Sequence, residues 1–368
     1  MALIDNIVER NNVFLSTIEM MKANGYPIVL CGAGQIAHST YDFLYRIGIY
    51  VNEVAINRQY IKSNDLFHGR TLTPIESITK RDGKINYIIS FQYVPDNFIK
   101  NIGANAACIL HYDPAFLGIE TENFIDYDFC VKNIDEFEWL NEQLNDSVSK
   151  ETLAAFLNQR ICAQTKYCSQ LYDNNHYFPD SVINFCPDEV FVDCGAYNGD
   201  SVLAFLTQLI SQDISRPRKI IAFEPDRNNF SLLEANVQQF DFCECINTGV
   251  WSHPTKLYFS SGRETTSQFS KKNENNLESI KVNSIDNVLM GGGATFIKMD
   301  IEGAELEALR GAEKTIKSCK PKLAISVYHK PDDLLKIPRY IKSLHHDYRF
   351  YLRSHHPKFS YELVLYAI

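Results

Sequence analysis

From Asp188 to the last residue, short apolar runs alternate with longer segments whose apolar residues recur every three or four positions. Runs of about four to eight apolar residues fit buried strands, and a period near 3.6 fits helices. The pattern predicts strands at 189–194, 219–224, 243–250, 295–301 and 322–328. Helices over 200–210, 226–239, 304–318 and 331–345 fall between or after them, with Phe230, Leu232, Leu233 and Val237 turned inward on one and Leu306, Leu309, Ala312 and Ile316 on another. A hairpin strand at 256–259 and a polar loop at 260–268 interrupt the alternation. The last two runs, 348–352 and 361–367, have no helix between them, so they read as an antiparallel pair at the edge of an otherwise parallel sheet.

The front of the chain repeats the theme more weakly. Ile4–Met21 reads as a helix, Pro27–Leu30 and Val51–Ile56 as strands either side of a glycine turn, 73–76 as a helix entry and 87–90 as a further strand. This unit closes near Asp113-Pro114, and helical periodicity over 134–144 and 150–172 follows it. Three parts result: residues 1–116 as a Rossmann-like α/β domain, 117–187 as a helical connector, and 188–368 as a second α/β domain. The aromatics of Asn175-His176-Tyr177-Phe178-Pro179, just ahead of that last domain, are expected to pack rather than to flank a substrate.

Composition changes this picture little. The length, 368 residues, suits about two domains, and 45% hydrophobic with 22% charged residues is ordinary for a globular protein. A net charge of -9 argues against a nucleic-acid partner, which would need basic surface. Ten cysteines stand without a metal-binding spacing, Cys243 and Cys245 or Cys162 and Cys168 included, so reduced thiols in a cytoplasmic protein are expected and no metal site is assigned. No run approaches the length of a membrane span or of a signal peptide's apolar core.

Chemistry concentrates where strands end. Val190-Phe191-Val192 runs into Asp193, then Gly195, Ala196, Tyr197, Asn198 and Gly199, then a helix start at Asp200-Ser201. Glycines in such a turn let backbone approach a ligand, and the helix N-terminus favours a negative group. The next strand ends in Glu224-Pro225, an acid placed to accept both ribose hydroxyls of an adenosine. An adenine would then lie near Thr248, Gly249 and Val250 after the third strand. Asp193 would brace the loop or reach a ligand's amine through water. Earlier in the chain, Gly32, Gly34 and Ala37 form a second GxGxxA turn, but the strand after it ends in Asn57 rather than an acid. That weakens a dinucleotide reading.

Further acids stand at the end of the fourth strand. Asp300 and Glu302 flank Ile301, so they share a face if the strand continues; the competing reading starts a helix at Glu302. Lys298 either anchors an anion or pairs with a carboxylate. His329 ends the fifth strand, where an ordinary pKa near about 6.5 would suit a general base.

The segments DCGAYNGDS, FEPD, FIKMDIEGAELEALRGA, LAISVYHKPDDL and ELVLYA, in this order over residues 175–368, resemble the FkbM family of methyltransferases. Longer members of that family also carry an upstream domain with a GAG turn and a helical segment ending in YFP. The departure is Ser354-His355-His356, where many members have a shorter His-Tyr pair. The resemblance implies a class I methyltransferase Rossmann-like fold and S-adenosyl-L-methionine (SAM) as cofactor. It further implies O-methylation of a hydroxyl on a sugar, glycan or natural-product intermediate. Cofactor contacts are then expected from Asp193, Gly195, Ala196, Tyr197, Asn198, Gly199, Ser201, Glu224, Pro225, Thr248, Gly249 and Val250, with Asp300, Glu302 and His329 on the acceptor side. The acceptor is a small molecule or glycan, linked to a nucleotide in one version, and self-association stays compatible with the sequence. Two other classes stay open: an NAD(P)-dependent oxidoreductase using the first glycine turn, and a binding module without turnover.

Overall fold

The computed structural model describes residues 2–62, 65–117, 124–259 and 278–368. The expected polar loop at 260–268 lies outside the described residues. In the front domain the parallel strands Thr73–Pro74, Glu53–Ile56, Ile28–Cys31, Ile85–Ile89 and Ala106–His111 lie side by side in that order. The last of these went unpredicted: its apolar run, Ala106 to Leu110, opens on two alanines and a cysteine, weak strand formers, and most of its positions are only half-buried. The opening helix is broken in two, Leu3–Asn6 and Val13–Asn24, and the Asn12 side chain caps the second by accepting from Leu15 N–H at 3.1 Å. Leu3 and Ile7 pack with Phe137, Leu140 and Phe156 of the connector, in the same core as the second domain. The first few residues therefore belong physically to the middle of the chain.

The second domain holds a seven-stranded sheet. Its order is Cys243–Ile246, Lys219–Phe223, Val190–Cys194, Phe296–Met299, Lys322–Ser326, Leu363–Ala367 and Phe350–Ser354. The first five are mutually parallel, while Leu363–Ala367 runs antiparallel to both its neighbours. The expected hairpin at the edge is present. Phe191, Phe205 and Phe296 surround Phe178 at ring-centroid distances of 6.1, 5.9 and 5.8 Å, each such pair worth about 0.5–1.5 kcal/mol beyond its buried area.

Two predicted elements break. The run 243–250 stops at Ile246, and Gly249–Val250 instead joins a separate small sheet with Thr255–Phe259 and Glu278–Asn283. The helix predicted over 304–318 splits into Glu305–Arg310 and Glu313–Cys319. At the break, Gly311 lies so close to Trp251 that a Cβ would fall 2.1 Å from its carbonyl oxygen. Close packing has overridden helical periodicity there.

The connector runs mainly as Ile134–Gln143 and Ser147–Cys162, then a short turn of helix at Cys168–Leu171. The long helix lies along the edge strand Phe350–Ser354, where Ser149 Oγ accepts from Leu352 N–H at 2.9 Å and Asp146 pairs with Arg353 at 2.6 Å. The three parts of the chain meet at Asp113, a buried carboxylate. It accepts from Ala115 N–H, Gln159 Nε2 and Ser360 N–H at 3.0, 2.6 and 2.7 Å. Among the described residues no helix is long and apolar enough to cross a membrane, and all ten cysteines are free thiols.

Candidate functional site

In an open α/β sheet, ligands bind outside the carboxyl ends of the strands where strand order reverses. Here that point lies between Val190–Cys194 and Phe296–Met299. The glycine loop leaves the first of these strands and the acids leave the second. They touch: a Cβ on Gly195 would stand 2.0 Å from the Asp300 carbonyl oxygen, and Asp300 N–H donates to Cys194 O at 3.1 Å.

Asp193 faces inward. Strand register sets it directly opposite Lys298, whose ammonium lies 3.1 Å from its carboxylate, both side chains being buried. Asp193 also accepts from Ser201 Oγ, and Lys298 donates to Gly195 O at 2.7 Å. Burial alone would lower the Lys298 pKa, but Asp193 and Asp300 raise it. Of the two readings of Lys298, pairing with a carboxylate is the one observed. Asp193 and Ser201 brace the loop from beneath.

The loop amides are spent within the fold. Gly195 and Ala196 N–H donate to Phe223 O, Gly199 N–H to Ala196 O, Tyr197 N–H to Glu224, and Ser201 N–H to Asp200. The Asn198 carbonyl ties the loop to the helix Arg227–Val237 by accepting from Asn236 Nδ2 at 2.9 Å. Gly199, at φ +91, packs under Leu233 and Val237. The Glu224 carboxylate closes the loop, accepting from Tyr197 N–H and Asp226 N–H at 2.9 Å each. Burial pushes its pKa up to about 7 despite those two amides. Pro225 packs beside Gly249, Val250 is buried, and Thr248 Oγ1 is buried without a partner.

On the other side, the strand ends at Met299, so Asp300 and Glu302 do not share a strand face. A turn with Glu302 at φ +55 brings them together instead, and the helix begins at Glu305 rather than Glu302. Both carboxylates converge on His329: Nε2 is 3.4 Å from Asp300 and 3.7 Å from Glu302, while Nδ1 is 3.0 Å from Glu305. Burial would lower the His329 pKa, but Glu305, then Asp300 and Glu302, lift it to about 10. The ring is thus an imidazolium at neutral pH, not the free base that an ordinary pKa implied. Burial would raise the Asp300 pKa, but His329, Lys298 and Tyr177 bring it below the usual carboxylate range.

Glu305 and Tyr177 are the residues that sequence reasoning missed. Glu305 is fully buried and accepts from Ile301 N–H and Gly303 N–H at 3.0 and 3.3 Å, shaping the turn. Tyr177, in a left-handed conformation (φ +66), donates its hydroxyl to Asp300 Oδ2. Phe178 packs as expected, and by anchoring in the phenylalanine cluster it holds Tyr177 over the acid.

The Ser354-His355-His356 segment is structural. His355 bonds Asp173 O and Tyr366 Oη at 2.8 and 2.7 Å, and His356 bonds Gln92 of the front domain at 2.6 Å. In the front domain, Gly32 (φ +126) turns close under Ser90, and Gly34 caps the helix Gln35–Arg46. The neighbouring strand ends at Ile56 with Asn57 next, and the carboxylate beside that end is Glu76, which is taken up by Arg58 N–H at 3.2 Å.

Strand order 3-2-1-4-5-7-6, a glycine loop after the central strand and an acid closing it define the Rossmann-like methyltransferase fold. Residues 193–356 match the methyltransferase FkbM domain, and the chain carries that domain. It is similar to methyltransferase FkbM from Methylobacillus flagellatus KT, at 25% identity and a TM-score of 0.74, over 96% of this chain and 93% of that one. That likeness includes the front domain. An rRNA methylase from Streptococcus thermophilus aligns at 12% identity and a TM-score of 0.32, over 54% of this chain and 89% of that one, too distant to bear on function. No curated protein matches the chain.

Proposed function

We propose that the protein transfers a methyl group from SAM to a hydroxyl of a sugar, glycan or natural-product intermediate. The observation that carries this reading is the contact between Gly195 and Asp300, which puts a donor loop and an acid cluster against one another at the carboxyl ends of the two central strands. The residues present fit the cofactor. Glu224 keeps lone pairs for a ribose diol, and the orphaned Thr248 hydroxyl lies where an adenine edge would offer it a partner. The loop 195–199 and Pro225, Gly249 and Val250 complete the enclosure. When bound, SAM supplies an electrophilic methyl on a sulfonium.

The chain's own residues do the rest. Asp300, fixed by Tyr177, accepts a hydrogen bond from the acceptor hydroxyl and aims its oxygen, while Glu302 stands at the open side, 57% exposed, able to pass the proton to water. Alignment of this kind can supply effective molarities of about 10⁵–10⁸ M, more than the roughly 10²–10⁴-fold of base assistance. The front domain meets this side through Gln92 and His356, and we assign to its glycine crevice the nucleotide that carries the acceptor. The test is tritium transfer from labelled SAM into a glycan extract and into UDP- and GDP-sugars. Label in a nucleotide sugar is expected; no label in any fraction overturns the enzyme reading.

Glu224 gives a pH signature. With its pKa near 7 in the free protein, it is about half protonated at neutral pH. A diol favours the charged form, so the bound state holds fewer protons, and affinity rises with pH up to about 7 and levels off above it. Calorimetry at pH 7 in two buffers of different ionisation enthalpy should show release of about half a proton on SAM binding. Proton uptake would contradict the diol assignment.

A further inference from the structure

The acid cluster at the end of the fourth strand carries more negative charge than its one imidazole answers. Asp300, Glu302 and Glu305 all point at His329; of the two ammoniums beside this turn, Lys298 is paired with Asp193 and Lys330 donates to Gly303 O. The His329 side chain is only 9% exposed, yet neither ring nitrogen makes a well-directed hydrogen bond, although carboxylate oxygens lie 3.0 to 3.7 Å away. Glu305 is fully buried and its Oε2 has no partner at all. Buried polar atoms are nearly always satisfied, and an orphan points to a missing ligand. Ligand atoms of Asp300, Glu305 and His329 all lie within 4.8 Å of one another, a spacing one ion can bridge with bonds of about 2.0–2.6 Å.

We propose that Asp300, Glu305 and His329 bind a hard divalent cation, which displaces the proton that the His329 ring carries without it, with Glu302 as a further oxygen donor on the solvent side. The majority of carboxylate oxygens and the lack of thiolates in the set suit Mg²⁺ or Mn²⁺. Asp300 Oδ2 is engaged by the Tyr177 hydroxyl, which leaves Oδ1, the atom facing the histidine, for the ion. The ion's role rests on the methyl-transfer reading, although its binding does not. Coordinated to the acceptor oxygen, it would ease loss of the hydroxyl proton to Glu302 or water. The oxygen lone pair then forms the new C–O bond as the donor's C–S bond breaks onto sulfur.

The test uses the full chain, stripped with EDTA and titrated with Mn²⁺ while the EPR signal of the free ion is followed. One Mn²⁺ per chain, displaced by Mg²⁺, is expected. Glu305→Gln should weaken binding by at least the roughly 10–100-fold that outer-shell losses cost at metal sites. Because a change at a buried residue can disturb folding, Glu302→Gln on an exposed side chain gives a second measure: weaker binding at an unchanged Tm. No Mn²⁺ bound at millimolar concentration, or Glu302→Gln and a folded Glu305→Gln both binding like the unaltered protein, overturns the inference. SAM binding by calorimetry in EDTA separates the two readings, because donor bound by a protein with no metal affinity leaves the proposed function standing and removes only the ion.

Discussion

Gly195→Ala is expected to abolish binding of the methyl donor, and turnover with it. The added methyl would lie 2.0 Å from the Asp300 carbonyl oxygen and 3.1 Å from its carbonyl carbon. Both are backbone atoms between central strands, so neither can turn aside as a flexible side chain would. The loop and the end of the neighbouring strand must move apart, which breaks the Gly195 amide bond to Phe223 and the Lys298 bond to Gly195 O. Overpacking of this kind costs about 1–3 kcal/mol, and the left-handed φ of +84 adds about 1 kcal/mol. The sheet should survive this while the crevice does not. Gly291→Ala is the control, because that glycine has the same φ of +84 and nothing within 4 Å. It should melt slightly lower than the unaltered protein and bind the donor normally. If calorimetry gave both variants the same donor affinity, the loop after Cys194 would not be the donor's seat.

Much of this architecture was legible in the sequence because strands buried on both faces write themselves as unbroken apolar runs. Val190-Phe191-Val192 and Leu323-Ala324-Ile325 are of that kind, and so is the closing pair of strands. The strand Ala106–His111, half exposed at a sheet edge, writes nothing distinctive. Elements set by contacts distant in sequence were also hidden, such as the helix break that Trp251 imposes at Gly311. The site was half readable for the same reason. Asp193, Glu224 and Asp300 stand at strand ends, His329 follows its strand by three residues, and all four could be found by position alone. Glu305 looked like any acid in a first helical turn, and only the fold of 300–304 turns it back onto His329. Tyr177 lies 123 residues from Asp300 along the chain, and no local pattern announces such a partner. The protonation of His329 was likewise beyond the sequence, since it depends on three carboxylates that a turn assembles.

Lys298→Met should be the most destabilising single change in the second domain. Its ammonium and the Asp193 carboxylate face one another across adjacent strands with almost no exposure. Removing one member of such a pair leaves a buried charge unanswered, at a cost of about 3–5 kcal/mol. Asp193 must then stay charged without a partner or take up a proton. The second course becomes harder as pH rises, so the loss should be larger at pH 8 than at pH 5.5. Asp193→Asn added to Lys298→Met removes the stranded charge and should recover most of the stability and erase the pH slope, since a buried pair and a neutral replacement of similar size are often close in energy. Urea denaturation of the three proteins at the two pH values checks this. Equal stability of Lys298→Met and the unaltered protein at both would mean that the pair bears no structural charge. The double variant also separates fold from function. It keeps the sheet but strips Gly195 O of its donor and Ser201 of its carboxylate partner, the two bonds that hold the glycine loop from below. A folded protein that binds the donor poorly is therefore the expected result. One that binds it normally would show that Glu224 and the Phe223 carbonyl hold the loop unaided.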